Sequence, residues 1–204
     1  MTTAQPKIDV RIAYEPGGQL GADYNRIFQE TAHEWVLLLD HDVLLLNPHW
    51  YTIAQECIRQ NPRAGIFTCW TNNIGNPAQR WSAPGETDSV TAHRGFAREV
   101  FDINGYQATV IDGAKCSGML LLIRKAAWTK VGGFPGVGMF REDWTFGRKV
   151  QGAGFEVRRM DGLYVYHVRD RSDGTWIPGV ETSKEIRDRL KADGKIGKKP
   201  GRVK

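Results

Sequence analysis

Asp40 and Asp42 stand one residue apart at the end of the aliphatic run Trp35-Val36-Leu37-Leu38-Leu39, with His41 between them and Val43-Leu44-Leu45-Leu46 beyond. Two hard oxygen donors at this spacing suit Mg2+ or Mn2+, cations that keep coordination positions open for phosphate oxygens. An Asp pair that merely caps a loop is the plain alternative. Glu142 and Asp143 form a second acidic pair. Acids in the first turn of a helix are favoured by its dipole, so a structural role stands beside a chemical one. His167 closes a late apolar run. Between Thr71 and Trp81, the groups of Thr71, Asn72, Asn73, Gln79 and Arg80 lie beside an indole. That chemistry suits a sugar, and it equally suits an ordinary surface loop.

These residues need elements to hold them. A short apolar run that stops at carboxylates reads as a strand buried on both faces, and ligands in open α/β sheets sit outside the carboxyl ends of such strands. Strand alternation then points Asp40 and Asp42 to one face and His41 to the other. Ile8 to Tyr14 alternates as a first strand, and Ala22 to His33 carries Tyr24, Ile27, Phe28 and Ala32 on one helical face. Asn47-Pro48 reads as an N-cap and first helical residue for a helix to Gln60. Ala64 to Trp70 reads as a strand, Thr71 to Gly95 as one long loop, His93 to Phe101 as a short helix and Gln107 to Ile111 as a short strand. Gly118 to Ile123 is a second fully apolar strand, followed by a helix over 124–131 closed by Gly132-Gly133 and another opening at Arg141-Glu142-Asp143. Phe155 to Met160 and Leu163 to Val168 read as strands flanking a turn at Asp161-Gly162, and Thr182-Ser183-Lys184-Glu185 as a capping box for a last helix. The run Gly17-Gly18-Gln19-Leu20-Gly21 has neither the lysine of a P-loop nor dinucleotide-binding spacing.

With 204 residues, 41% of them hydrophobic and 25% charged, the chain has the make-up of a single globular domain. The expected division is one domain over 1–192 and a basic, flexible tail over 193–204, which holds much of the net charge of +5. No apolar run is long enough to span a bilayer. Cys57, Cys69 and Cys116 are odd in number and scattered, as expected of reduced core thiols in a cytoplasmic protein, peripheral to a membrane at most.

Taken in order, the segments resemble the family 2 glycosyltransferases of the GT-A fold. The resemblance rests on Leu37-Leu38-Leu39-Asp40-His41-Asp42, on Cys116-Ser117-Gly118 running to Arg124, and on Val131-Gly132-Gly133-Phe134. It continues through Arg141-Glu142-Asp143-Trp144 to Arg148, Gly154-Phe155-Glu156-Val157 and Val165-Tyr166-His167. It implies an α/β, Rossmann-like fold with a mixed, mainly parallel sheet, helices on both faces and a shortened N-terminus. By the same resemblance Asp40, Asp42 and His167 hold Mn2+ or Mg2+ on a donor diphosphate, and Asp143, beside Glu142, is the base that deprotonates the acceptor. Tyr14, Glu15, Asn25 and His41 join Asp40 and Asp42 in donor binding. Trp70, Asn72, Asn73, Ser117, Gly118 and Trp144 are the acceptor-side candidates, and Arg148 is as readily structural as substrate-binding.

The expected activity is inverting transfer of one sugar from a nucleotide-diphosphate sugar to a hydroxyl of a glycan, a lipid-linked sugar or a modified DNA base. The Gln-x-x-Arg-Trp pattern of processive synthases is absent. Only one strand and one helix precede Asp40, so either Ile8 to Glu15 does the work of the missing strands, or the nucleobase is held loosely, or a second chain completes the site by self-association. A non-catalytic nucleotide-sugar or carbohydrate-binding module is the alternative. A nucleotidyltransferase ranks below both, because its glycine-rich loop carries a basic residue that Gly17 to Gly21 lacks.

Overall fold

In the computed structural model, residues 5–13, 20–81, 89–135, 142–168 and 192 are described. The expected last helix and the basic tail lie outside them, apart from residue 192. Strand β1 (Ile8–Ile12) is followed by helix α1 (Leu20–Glu30), strands β2 (Trp35–Leu39) and β3 (Val43–Leu44), helix α2 (Trp50–Gln60) and strand β4 (Ala64–Thr71). Then come α3 (Val90–Asn104), β5 (Ala108–Val110), β6 (Leu120–Arg124), α4 (Lys125–Val131), α5 (Glu142–Gly152) and β7 (Glu156–His167).

The seven strands form one sheet in the order β1-β2-β6-β4-β7-β3, with β5 also on β7. It is mixed, as expected. The strands β1, β2, β4 and β7 share one direction, and β6, β5 and β3 run against them. All five residues of β2 are buried. Trp35, Leu37 and Leu39 pack with Ile53, Ala54 and Cys57 of α2, while Val36 and Leu38 face Tyr24, Ile27 and Phe28 of α1 and Phe146 and Val150 of α5. Alternation thus feeds two cores on opposite faces. Burying each such side chain contributes about 1.5–3 kcal/mol. An exposed pair such as Arg26–Glu30 contributes about 0–1 kcal/mol, so the cores hold the fold.

Several boundaries differ from the sequence reading for identifiable reasons. Asn47 does not cap α2: its Oδ1 accepts from the His49 N–H (2.9 Å) and its carbonyl from the Trp50 N–H (3.1 Å), making a turn ahead of the helix. The helix α3 starts three residues before His93 because the Ser89 Oγ caps it, accepting from Ala92 N–H at 3.3 Å. The expected turn at Asp161-Gly162 is absent. The chain runs on as one strand, and the parallel register steps from Cys69↔Met160 to Trp70↔Tyr164. Residues 161–163 form the bulge between these pairs. Gly162 fits there because a Cβ would collide with the Gly105 backbone oxygen. The Asp161 carboxylate is held by Arg159 Nε (2.7 Å) and Thr109 Oγ1 (2.5 Å). The turn-forming residues therefore mark a local irregularity, not a chain reversal.

Candidate active site

β2 ends at Leu39, and the Asp40 N–H donates to the carbonyl of Met119, the residue before β6 (3.0 Å). The Val43 N–H returns to the Asp40 carbonyl (3.3 Å), so Asp40-His41-Asp42 forms a tight turn between β2 and β3. Strand alternation, expected to align the two aspartates, does not operate in a turn. They converge nonetheless, because β3 pairs with β7 and sets Val43 opposite His167, while the Val168 N–H donates to the Asp42 carbonyl (2.8 Å). One ligand atom each from Asp40, Asp42 and His167 lies within 4.8 Å of the others. His41 is exposed beside them.

The electrostatics follow from this crowding. Burial pushes the Asp40 carboxyl up to about 6; His167 pulls it down and Asp42 pushes it further up. Burial also works against the Asp42 charge, but the hydrogen bond from His167 prevails and holds that carboxyl below its ordinary value. For His167, burial opposes the charge, and its bond to Asp42 with the nearby Asp42 and Asp40 charges raises its affinity for a proton. The Asp42 Oδ1 to His167 Nε2 separation is 3.3 Å.

Two carboxylates and an imidazole fit a divalent cation of the Mn2+ or Mg2+ kind. Bonds of about 2.1 Å place opposite ligands roughly 4.2 Å apart, so only a small contraction is needed. His167 Nδ1 faces the Asn73 carbonyl at 3.0 Å, which can only accept, so Nδ1 carries the hydrogen and Nε2 turns to the cluster.

The second acidic pair opens α5. Asp143 Oδ2 accepts the Gly118 N–H and Oδ1 the Trp144 N–H, both at 2.8 Å. Burial raises the Asp143 carboxyl and these backbone bonds pull it back, leaving it above its ordinary value. Glu142 is buried and raised by that burial, with the Asp143 charge adding to it. A Cβ on Gly118 would lie 3.2 Å from the Asp143 Cβ, so glycine permits the close approach. Gly118 grips Asp143 and its neighbour Met119 grips Asp40, which ties the two halves of the site together. Tyr24, read in the sequence only as part of an apolar stripe, sits among the acids: burial raises its hydroxyl pKa, and the charges of Asp40, Asp143, Glu142 and Asp23 add to that.

The remaining expected residues divide. Tyr14 and Glu15 lie outside the described residues. Asn25, expected at the donor, clamps the loop after α4 instead. Its Oδ1 accepts from Trp128 Nε1 (2.9 Å) and the Phe134 N–H (2.8 Å), and its Nδ2 donates to the Phe134 carbonyl (3.0 Å). Gly133, at φ 81°, is needed there because a Cβ would press on that Oδ1. Asn72 spends its amide on the His167 backbone. Trp70 lies beneath the Arg159 guanidinium (3.4 Å) and edge-on to Trp81, with its buried Nε1 unpaired. Trp144 and Arg148 are exposed on α5, Trp144 directly beside Asp143.

The long loop expected over Thr71 to Gly95 is largely structured where described. Pro77–Gln79 forms a 3-10 turn capped by Asn76. Gln79, fully buried, uses all its amide capacity. Oε1 accepts from the Ser117 N–H (2.7 Å) and Asn76 Nδ2 (2.8 Å), while Nε2 donates to Thr68 Oγ1 (2.7 Å) and the Ser117 carbonyl (3.1 Å). Ser117 is thus pinned through its backbone, one residue before the glycine that holds Asp143. Nothing local in the sequence marks this network, because its partners come from three separate segments. Replacing Gln79 with leucine strands several buried polar groups at about 1–3 kcal/mol each. The expected result is a clearly lower urea midpoint at an unchanged m-value.

Fold and rim together are those of an α/β domain with an acidic cluster beyond the carboxyl end of a central strand, where open α/β sheets bind ligands. The chain belongs to the glycosyltransferase-like family 2, whose model matches residues 1–184. No curated protein matches it. Among solved structures it is similar to the mannosyltransferase PcManGT from Pyrobaculum calidifontis in complex with GDP-Man and Mn2+, at 17% identity and a TM-score of 0.45. That match covers 88% of this chain and 45% of the other, so the chain spans less than half the length of that structure. Among the described residues, no helix is long and apolar enough to cross a membrane.

Proposed function

We propose that this chain is a metal-dependent, inverting glycosyltransferase that moves one sugar from a nucleotide-diphosphate sugar to an acceptor hydroxyl. The observation that carries the reading is the link through Gly118-Met119, which sets the Asp40/Asp42/His167 cluster against Asp143. Asp40, Asp42 and Nε2 of His167 hold the cation, which, when bound, offsets the charge that develops on the leaving diphosphate. Asp143 takes the proton of the acceptor hydroxyl as that oxygen attacks the anomeric carbon. Its raised proton affinity suits the task, and the two backbone N–H groups fix its orientation. Glu142 is buried beside it. A single base and no covalent nucleophile is the arrangement that inverts the anomeric centre. Exposed Trp144, next to the base, offers an apolar face to an acceptor sugar. The free, buried cysteines accord with a cytoplasmic setting.

Thermal-shift screening of nucleotide-diphosphate sugars with and without Mn2+ tests the reading, since a bound donor raises Tm by mass action. Absence of any Mn2+-dependent shift or donor turnover across the set would overturn it. The pH dependence has a definite sign. Asp40 titrates near 6 in the fold against 3.8 in an unfolded chain, so between about 4 and 6 the folded chain holds the extra proton. Ionising this buried carboxyl therefore costs stability as pH rises through that window, and a bound cation offsets the cost above it. His167, also raised, must likewise release its Nε2 proton. The Tm gain from Mn2+ is expected to be full at pH 7.5 and largely gone at pH 5.

A further inference from the structure

Resting on the metal-dependent reading, the structure assigns Asn72 a positioning role: its side-chain amide holds the backbone of His167 beyond the end of the β4–β7 ladder and so presents Nε2 of His167 to the cation. Regular pairing of β4 with β7 ends at Thr71↔Val165. His167, two residues beyond, has no strand partner on the β4 side among the described residues. Asn72 supplies one with its side chain. Its Oδ1 accepts the His167 N–H at 2.9 Å and its Nδ2 donates to the His167 carbonyl at 3.3 Å, so one side chain serves both backbone groups of that residue. Thr71 Oγ1 donates to the same Oδ1 (3.1 Å) and fixes which end of the amide faces which group. On the other side, β3 sets Val43 against His167. The histidine backbone is therefore held from both edges.

The next residue completes the device. The Asn73 carbonyl accepts from His167 Nδ1 (3.0 Å), which sets the tautomer and leaves Nε2, 3.3 Å from Asp42, as the ligand atom. An outer partner of this kind orients a metal-binding histidine and typically changes metal affinity by 10–100-fold when removed. The Asn72 amide thus serves the metal side of the site. Asn73, by contrast, contributes through its main chain, and its side chain is exposed.

Mn2+ affinity of the full chain, read by electron paramagnetic resonance titration without any sugar, tests the assignment. Asn72→Ala is expected to weaken Mn2+ binding about 10–100-fold, while Asn73→Ala stays within about twofold of wild type, because the backbone carbonyl is retained. Asn72→Ala with wild-type Mn2+ affinity and wild-type Tm would overturn the proposal. Asp42→Ala serves as the reference. If Mn2+ affinity survives in that variant, the cation site itself is misassigned and the positioning role falls with it. Should Asn72→Ala not fold, long-range proton–nitrogen NMR of the wild-type chain with diamagnetic Zn2+ decides. Nδ1–H with Nε2 on the metal supports the device, and Nδ1 on the metal overturns it.

Discussion

Asp143→Asn is expected to lower the rate of sugar transfer by about 10²–10⁴, the usual contribution of a positioned general base, while a nucleotide-diphosphate sugar and Mn2+ bind about as well as to wild type. The carboxylate is held on both oxygens by backbone N–H groups of Gly118 and Trp144. Asparagine fills the same volume and keeps one of those bonds, so the cleft persists while the proton acceptor is lost. Titration calorimetry for donor binding and single-turnover product formation separate the two effects. Donor binding lost together with activity, in a variant of normal Tm, would place Asp143 on the donor side and contradict the base assignment.

Asp42→Ala is the complementary case and has the second large effect. Asp42 is one of three groups that fit the cation and the one paired with His167. Its removal is expected to abolish the Mn2+-dependent rise in Tm, worth about 2.7 kcal/mol at a ligand concentration of 100 times Kd. Mn2+-dependent donor binding and transfer go with it. The metal-free variant should still fold, because the two cores on either side of β2 do not involve this turn. A variant that keeps wild-type Mn2+ dependence would remove Asp42 from the site.

How legible the site is in the sequence depends on how local each signal is. The strand β2 and the acids at its end can be read from a dozen residues, because an aliphatic run cut short by carboxylates marks the place where a buried strand meets solvent. His167 lies far along the chain, and only the order of motifs suggests that it joins Asp40 and Asp42. The amides mislead. Asn72 and Gln79 look like sugar-binding groups because side-chain type shows hydrogen-bonding capacity but not where it is spent. Both are spent on backbone from distant segments, His167 for one and Ser117 for the other. Asn25 is a further example, closed on Phe134 and Trp128. Asp161-Gly162 shows a different limit. Turn-forming residues signal a departure from regular pairing, but whether the chain reverses or only bulges is decided by β4 alongside.

The dipeptide Gly118-Met119 has one more implication. Since Gly118 holds the Asp143 carboxylate and Met119 anchors the main chain of Asp40, the two acidic residues hang from adjacent positions of one backbone segment. Neighbouring Cα atoms are held about 3.8 Å apart, so the two anchor points cannot separate, and only the two hydrogen bonds can give. On the proposed function, a shift of Asp40 on loading with cation and diphosphate would be passed to the residue beside the one that orients Asp143.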